Sequence, residues 1–195
     1  MPPFTVLHVC MGNICRSPMA ERLFRHALRE RIGDDVDERY LSHGAGVGGW
    51  HVGEAMNSGA ARLLRQRGVE HDRFRARKLN GAMIDASDLI LCATSDQVSS
   101  VLELRPDAEE KTFVLGEFGR LLPTLPLAGL PPPDSPEHAY ERGLALVAAA
   151  SAARGPVRPD DDLDDPWGMP DREFARVADQ IEATVVPLAA ALTDR

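Results

Sequence analysis

Cys10 and Arg16 stand six positions apart in the run Cys10-Met11-Gly12-Asn13-Ile14-Cys15-Arg16-Ser17, between a β-branched apolar stretch and a segment of helical periodicity. The stretch before it, Phe4-Thr5-Val6-Leu7-His8-Val9, has the character of a strand buried on both faces. After it, Ser17-Pro18 reads as a capping hydroxyl followed by a proline at the first helical position, and Ala20, Leu23, Phe24, Ala27, Leu28 and Ile32 recur at helical spacing. Five residues between Cys10 and Arg16 let successive backbone N–H groups, from Met11 through Gly12, Asn13, Ile14 and Cys15 to Arg16, curl round one tetrahedral oxyanion. The helix N-terminus adds its partial positive charge, and the Arg16 guanidinium can grip two oxygens as a fork. The same surroundings favour a thiolate, the nucleophilic form of cysteine, at Cys10. Gly12 permits close backbone approach and Asn13 tolerates a left-handed conformation. The Ser17 hydroxyl has a second use, donating to the Cys10 sulfur so that it leaves more readily from a covalent intermediate. A bare Cys/Arg pair at this spacing is ordinary chance, and a buried cysteine before a capped helix is an ordinary structure. The strand, turn and helix in register are what point to a catalytic anion loop.

The remaining pattern alternates strands with helices: strands at 40–43, 88–93 and 112–115, and helices over 54–66, 137–153 and 171–192. Such alternation predicts an α/β fold with a parallel sheet covered on both sides and a ligand site beyond the carboxyl ends of the strands, where the Cys10 turn lies. Six prolines between 121 and 136 make that stretch an irregular connection. We read the 195 residues as one domain, with about 121–162 as an insertion.

A net charge of −8 argues against sequence-independent capture of nucleic acid or an anionic membrane, while leaving room for one local basic pocket. Three cysteines, Cys10, Cys15 and Cys92, do not make a disulfide framework. With no basic leader before the first apolar run and no run of about 20 apolar residues, the expected compartment is the cytoplasm. The run from Asp160 to Asp165 holds five carboxylates in six positions, by default a solvated loop, or a calcium site, although it lacks the Gly and distal Glu of an EF-hand.

Val9-Cys10-Met11-Gly12-Asn13-Ile14-Cys15-Arg16-Ser17-Pro18 resembles the signature of the low-molecular-weight protein tyrosine phosphatases, and it lies near the N-terminus as in that family. Ser42-His43-Gly44-Ala45 with Trp50-His51-Val52-Gly53 resembles the family's second loop, Arg75-Ala76-Arg77-Lys78-Leu79 its basic motif, and Asp165-Pro166-Trp167-Gly168 its acid loop. Only about 121–162 finds no counterpart. The resemblance implies a three-layer α/β/α fold with a four-stranded parallel sheet, to which this chain adds a Pro-rich loop and an extra helix. It also implies a phosphocysteine mechanism that needs neither metal nor other cofactor. Cys10 would be the nucleophile, Arg16 and the amides of Met11 to Arg16 the phosphate grip, and Asp165 the acid and then the base, with Asp164 as the alternative. Trp50 and Trp167 would wall in a phenyl ring, and Cys15 would guard an oxidised Cys10 by a reversible disulfide.

The chain departs from the family at Phe74, where a His usually precedes the Arg-Ala-Arg motif, at Ala93-Thr94 in place of Met-Asp, and at Trp167-Gly168 in place of a Tyr pair. The expected partners are a phosphotyrosine protein or a small aryl phosphate, with a homodimer left open. Two rival functions remain. An arsenate reductase of the same fold would need two relay cysteines in a flexible segment, and Cys92 stands alone; the other rival is an oxyanion-binding module without turnover.

Overall fold

The computed structural model describes residues 2–194. Strand β1 (Phe4–Cys10) runs through the loop at 11–15 into helix α1 (Arg16–Ile32), and a short helix α2 (Val36–Arg39) leads to β2 (Tyr40–Gly46). Helices α3 (Ser58–Gln66) and α4 (Gly81–Asp85) precede β3 (Leu89–Cys92), which α5 (Ser95–Leu104) connects to β4 (Thr112–Val114). Helix α6 (Leu115–Leu121) follows at once, then the proline-rich connection, α7 (Pro136–Ala152), and finally α8 (Asp171–Thr193).

The four strands pair in parallel in the order β2-β1-β3-β4. Because the chain moves from β1 to one side and then returns to the other, the carboxyl end of β1 lies at the point where strand order reverses, the usual place for a ligand in an open parallel sheet. Alternate side chains divide between two apolar clusters, as the pleat requires. Phe4, Val6 and Cys10 of β1, with Leu89 and Leu91 of β3, join the larger cluster shared with α1, α6, α7 and α8. Leu7 and Val9, with Ile90 and Cys92, join the smaller one with Ile84 of α4 and Val101 of α5. Helices therefore cover both faces.

Helix α8 buries Phe174, Val177, Ile181, Val185 and Leu188, the stripe that its periodicity predicts. It runs on through Pro187, which lies on its exposed side. Two expectations need correction. Ser17 does not cap α1: the helix begins at Arg16, and Ser17 lies inside its first turn with its hydroxyl directed at Cys10. The helix expected over 54–66 begins only at Ser58, where the Asn57 side chain accepts from Gly59 N–H, so 54–57 is connection rather than helix. The proline-rich stretch is irregular as expected, with one-turn segments at Leu122–Thr124 and Leu127–Gly129. No helix among the described residues is long and apolar enough to cross a membrane.

Candidate active site

The loop after β1 turns its carbonyls outward. The carbonyls of Cys10, Met11 and Ile14 accept from the amides of Val47, Gly48 and Asn57 at 3.0, 2.8 and 2.8 Å. The backbone N–H groups of residues 11–15 donate to no protein group among the described residues. Carbonyls held outward and amides left free are what a nest for an anion requires. The tightest turn is at Asn13, which is fully buried with φ at 54°. Its side chain clamps the loop, donating to Ser17 Oγ at 2.8 Å and accepting from the Arg77 N–H at 2.8 Å. Phe74, where the family carries a His, is instead a buried core residue, and Asn13 is anchored without it. The basic segment thus contributes a backbone amide to the site; sequence reading alone sees only its charges.

Gly46, at the end of β2, makes the close approach possible. A Cβ there would lie 2.7 Å from the Asn13 nitrogen and from the Gly12 carbonyl carbon, and 2.9 Å from the Met11 oxygen. Gly46 also bonds the basic segment, donating to Arg77 O at 2.8 Å and accepting from Leu79 N–H at 2.7 Å.

Cys10 is buried at the bottom of the loop, with Sγ 2.9 Å from Ser17 Oγ. Arg16 is buried as well, and its Nη1 donates to Leu163 O at 3.0 Å while its Nη2 meets Asp165 Oδ2 at 2.7 Å. Asp165 Oδ1 accepts from the Trp167 N–H at 3.1 Å, so the carboxylate is held from both sides. Cys10, Arg16, Asp165, Trp50, Trp167 and His51 all line one cavity of about 200 Å³, together with Met11, Gly12, Ile14 and Cys15. Every residue expected to do chemistry borders this cavity except Ser17 and Asn13, which lie buried behind the loop. A larger apolar groove of about 740 Å³ lies between the proline-rich connection and α8, and none of the three cysteines borders it.

Four of the five aspartates between 160 and 165 make specific contacts, although only Asp161 among them is buried. Asp161 is buried against Arg120 at 2.8 Å, Asp162 accepts from Ser95 N–H at 2.8 Å, and Asp164 meets Arg176 at 2.8 Å. The Leu163 N–H donates to Ala93 O at 2.8 Å. This strap carries Asp165 to Arg16. Its anchor just after β3 is the Ala93 backbone carbonyl, at the position where the family motif differs, which explains why that departure leaves the strap in place.

His51 is the site residue that sequence reading passed over. Its ring edge comes within 3.1 Å of a Cβ built on Gly12, and its Nδ1 lies 2.7 Å from Glu54 Oε2. Trp50 and Trp167 are 71% and 64% exposed, so they flank the mouth without forming a closed slot around it. Burial pushes the Cys15 thiol up to about 12, with the Asp165 carboxylate adding to it, so Cys15 is a protonated thiol at neutral pH. Cys92 is fully buried in the smaller cluster, and burial raises its thiol further.

A buried thiol beneath a ring of amides without protein partners, with a buried arginine and a carboxylate facing the same cavity, is the arrangement that cysteine-dependent chemistry on an oxyanion ester requires. Residues 5–125 match the family model described as low molecular weight phosphotyrosine protein phosphatase. The low molecular weight protein-tyrosine-phosphatase YfkJ of Bacillus subtilis is 35% identical over 97 residues, which are 50% of this chain and 60% of that protein. Among solved structures, the low molecular weight protein tyrosine phosphatase from T. tengcongensis superposes with a TM-score of 0.66 at 26% identity, covering 94% of this chain and 96% of that one. The YwlE arginine phosphatase from Geobacillus stearothermophilus gives 0.65 at 26% identity, covering 96% and 91%. The chain belongs to the low molecular weight phosphotyrosine protein phosphatase family.

Proposed function

We propose that the protein hydrolyses phosphotyrosine or aryl phosphate monoesters through a phosphocysteine intermediate. The observation that carries this reading is the convergence of Cys10, Arg16 and Asp165 on one cavity whose floor is made of unengaged amides. In the first step Cys10 Sγ attacks phosphorus in line, the S–P bond forms, and the bond from phosphorus to the aryl oxygen breaks. Arg16 and the amides of residues 11–16 hold the equatorial oxygens, whose charge they are arranged to match before the reaction begins. Asp165 gives its proton to the leaving oxygen. Water then attacks phosphorus, Asp165 takes the water's proton, and the sulfur leaves with the Ser17 hydroxyl donating to it across the 2.9 Å contact.

The ion pair between Arg16 and Asp165 gives this sequence an order. An incoming phosphate dianion competes for the same Nη2 and displaces the carboxylate. Trp50 and Trp167 offer aromatic faces to a phenyl ring at the mouth, which favours an aryl ester over a phosphoguanidine. Arsenate reduction through a thiol relay is disfavoured by the full burial of Cys92 on the far face of the sheet. A reducing compartment, the cytoplasm, suits a catalytic thiol with Cys15 beside it.

The experiment compares 4-nitrophenyl phosphate, a phosphotyrosine peptide and a phosphoarginine peptide as substrates. Cys10→Ser is expected to abolish hydrolysis of all of them. Asp165→Asn is expected to lower kcat by about 10²- to 10⁴-fold, most for the poorest leaving group. Retained turnover in Cys10→Ser, or faster hydrolysis of the phosphoarginine peptide, would reject this reading.

A further inference from the structure

Directly behind the phosphate loop, β1 carries a histidine at the sheet's centre. His8 is buried, packs edge-on against Phe24 with ring centroids 5.9 Å apart, and neither of its ring nitrogens has a hydrogen-bond partner among the described residues. An apolar side chain would fill this place at no such cost, because an unpaired polar group away from water is expensive. Arg16 presents the same anomaly. Its two terminal nitrogens are engaged by Leu163 O and Asp165, yet its Nε is buried without a partner among the described residues.

Both residues border one internal void of about 10 Å³, which is also lined by Ser17, Ala20, Leu115 and Leu163, all of them buried. That is about the least space in which a single water can sit. Arg16 Nε–H can only donate, and a neutral imidazole has one nitrogen that can only accept. A water molecule satisfies both at once. Burial holds the His8 imidazole down to about 3, so it is neutral at any working pH and keeps its accepting nitrogen.

The geometry points to a structural water in this void, accepting from Arg16 Nε–H and donating to His8, which makes His8 a positioning residue for the arginine that grips the phosphate. The inference rests on the reading of Arg16 given above. His8 touches no substrate. It acts through the water, holding the guanidinium plane from behind so that its Nη1 and Nη2 face the cavity when Asp165 lets go.

The test uses inorganic phosphate as the probe, titrated calorimetrically into the wild-type protein and into His8→Phe, His8→Gln and His8→Asn. His8→Phe removes both ring nitrogens at similar volume. It is expected to keep or raise the denaturant midpoint while weakening phosphate binding by about five- to tenfold. One of the two amide variants, whichever places its oxygen nearer the accepting nitrogen, is expected to return affinity to within about twofold of wild type. A crystal structure of the wild-type protein should show a water within hydrogen-bond distance of Arg16 Nε and a His8 nitrogen. Wild-type affinity in His8→Phe, equal loss in all three variants, or a void without water would each overturn the inference. Failure of the wild-type protein to bind phosphate would instead overturn the reading of the loop itself.

Discussion

Ser17 and Gly46 illustrate how much of the site depends on single atoms. The Ser17 hydroxyl meets the Cys10 sulfur and the Asn13 amide at once, so the residue that a helix-start pattern assigns to capping is engaged inside the loop instead. Gly46 is required because backbone atoms of the phosphate loop occupy the space that any side chain would need. Gly46→Ala is therefore expected to displace the loop and lower kcat/KM by about 10²-fold or more while the protein stays folded, because small misplacements of reacting groups are costly. Steady-state kinetics beside a circular dichroism melt would check it. The meeting of Cys10, Arg16 and Asp165 at one cavity was legible in the sequence because residue type, spacing and motif all pointed to one site. Gly46 and His51 were not, because each matters only through a contact with residues distant along the chain.

Among the elements, β1, α1 and α8 decide whether the site exists. β1 is apolar on both faces and is read easily as a buried strand, and α8 declares its inner stripe through periodicity. Ile181 lies in the middle of that stripe, fully buried in the cluster that supports α1 and hence the helix N-terminus beside the loop at 11–15. Ile181→Ala is expected to cost about 2–5 kcal/mol of stability, seen as a lower midpoint in urea with little change in the slope. The boundaries were less legible than the elements. Helix α1 begins earlier than the Ser-Pro pattern implies because the Ser17 hydroxyl is engaged by Cys10 and Asn13 and the Cys15 carbonyl already accepts from Met19 N–H, and α3 begins later because Asn57 is both its cap and an anchor for the Ile14 carbonyl. The short helices α5 and α6 follow directly from strands and carry weak patterns of their own; they are helical because they cover β3 and β4.

At the scale of the whole molecule, stability should fall earlier in acid than carboxylates alone would dictate. Burial holds His8 down to about 3, and burial with the nearby Arg77 charge holds His43 down to about 4, against an ordinary value of 6.5. Both groups are neutral in the folded protein and bind protons readily once unfolded, so between pH 6.5 and about 4 the unfolded state holds more protons. Stability present above pH 6.5 is therefore lost as the pH falls, at about 1.4 kcal/mol per pH unit for each histidine. Urea denaturation from pH 7 to pH 4.5 would show this decline, and His8→Phe should make it shallower; an unchanged midpoint across that range would contradict the assignment. The sequence by itself determined the parallel α/β plan and the loop from Cys10 to Arg16 between a strand and a helix, because these follow from local spacing and periodicity, which neighbouring residues impose on one another. Only the tertiary structure decided that the aspartate run is a strap that docks Asp165 on Arg16, that the basic motif serves the loop through a backbone amide, and that a histidine with no hydrogen-bond partner among the described residues lies behind the arginine. Each of these arises where segments distant along the chain meet in a solvent-free interior, and there hydrogen-bond geometry and desolvation, rather than residue type, set what a group can do.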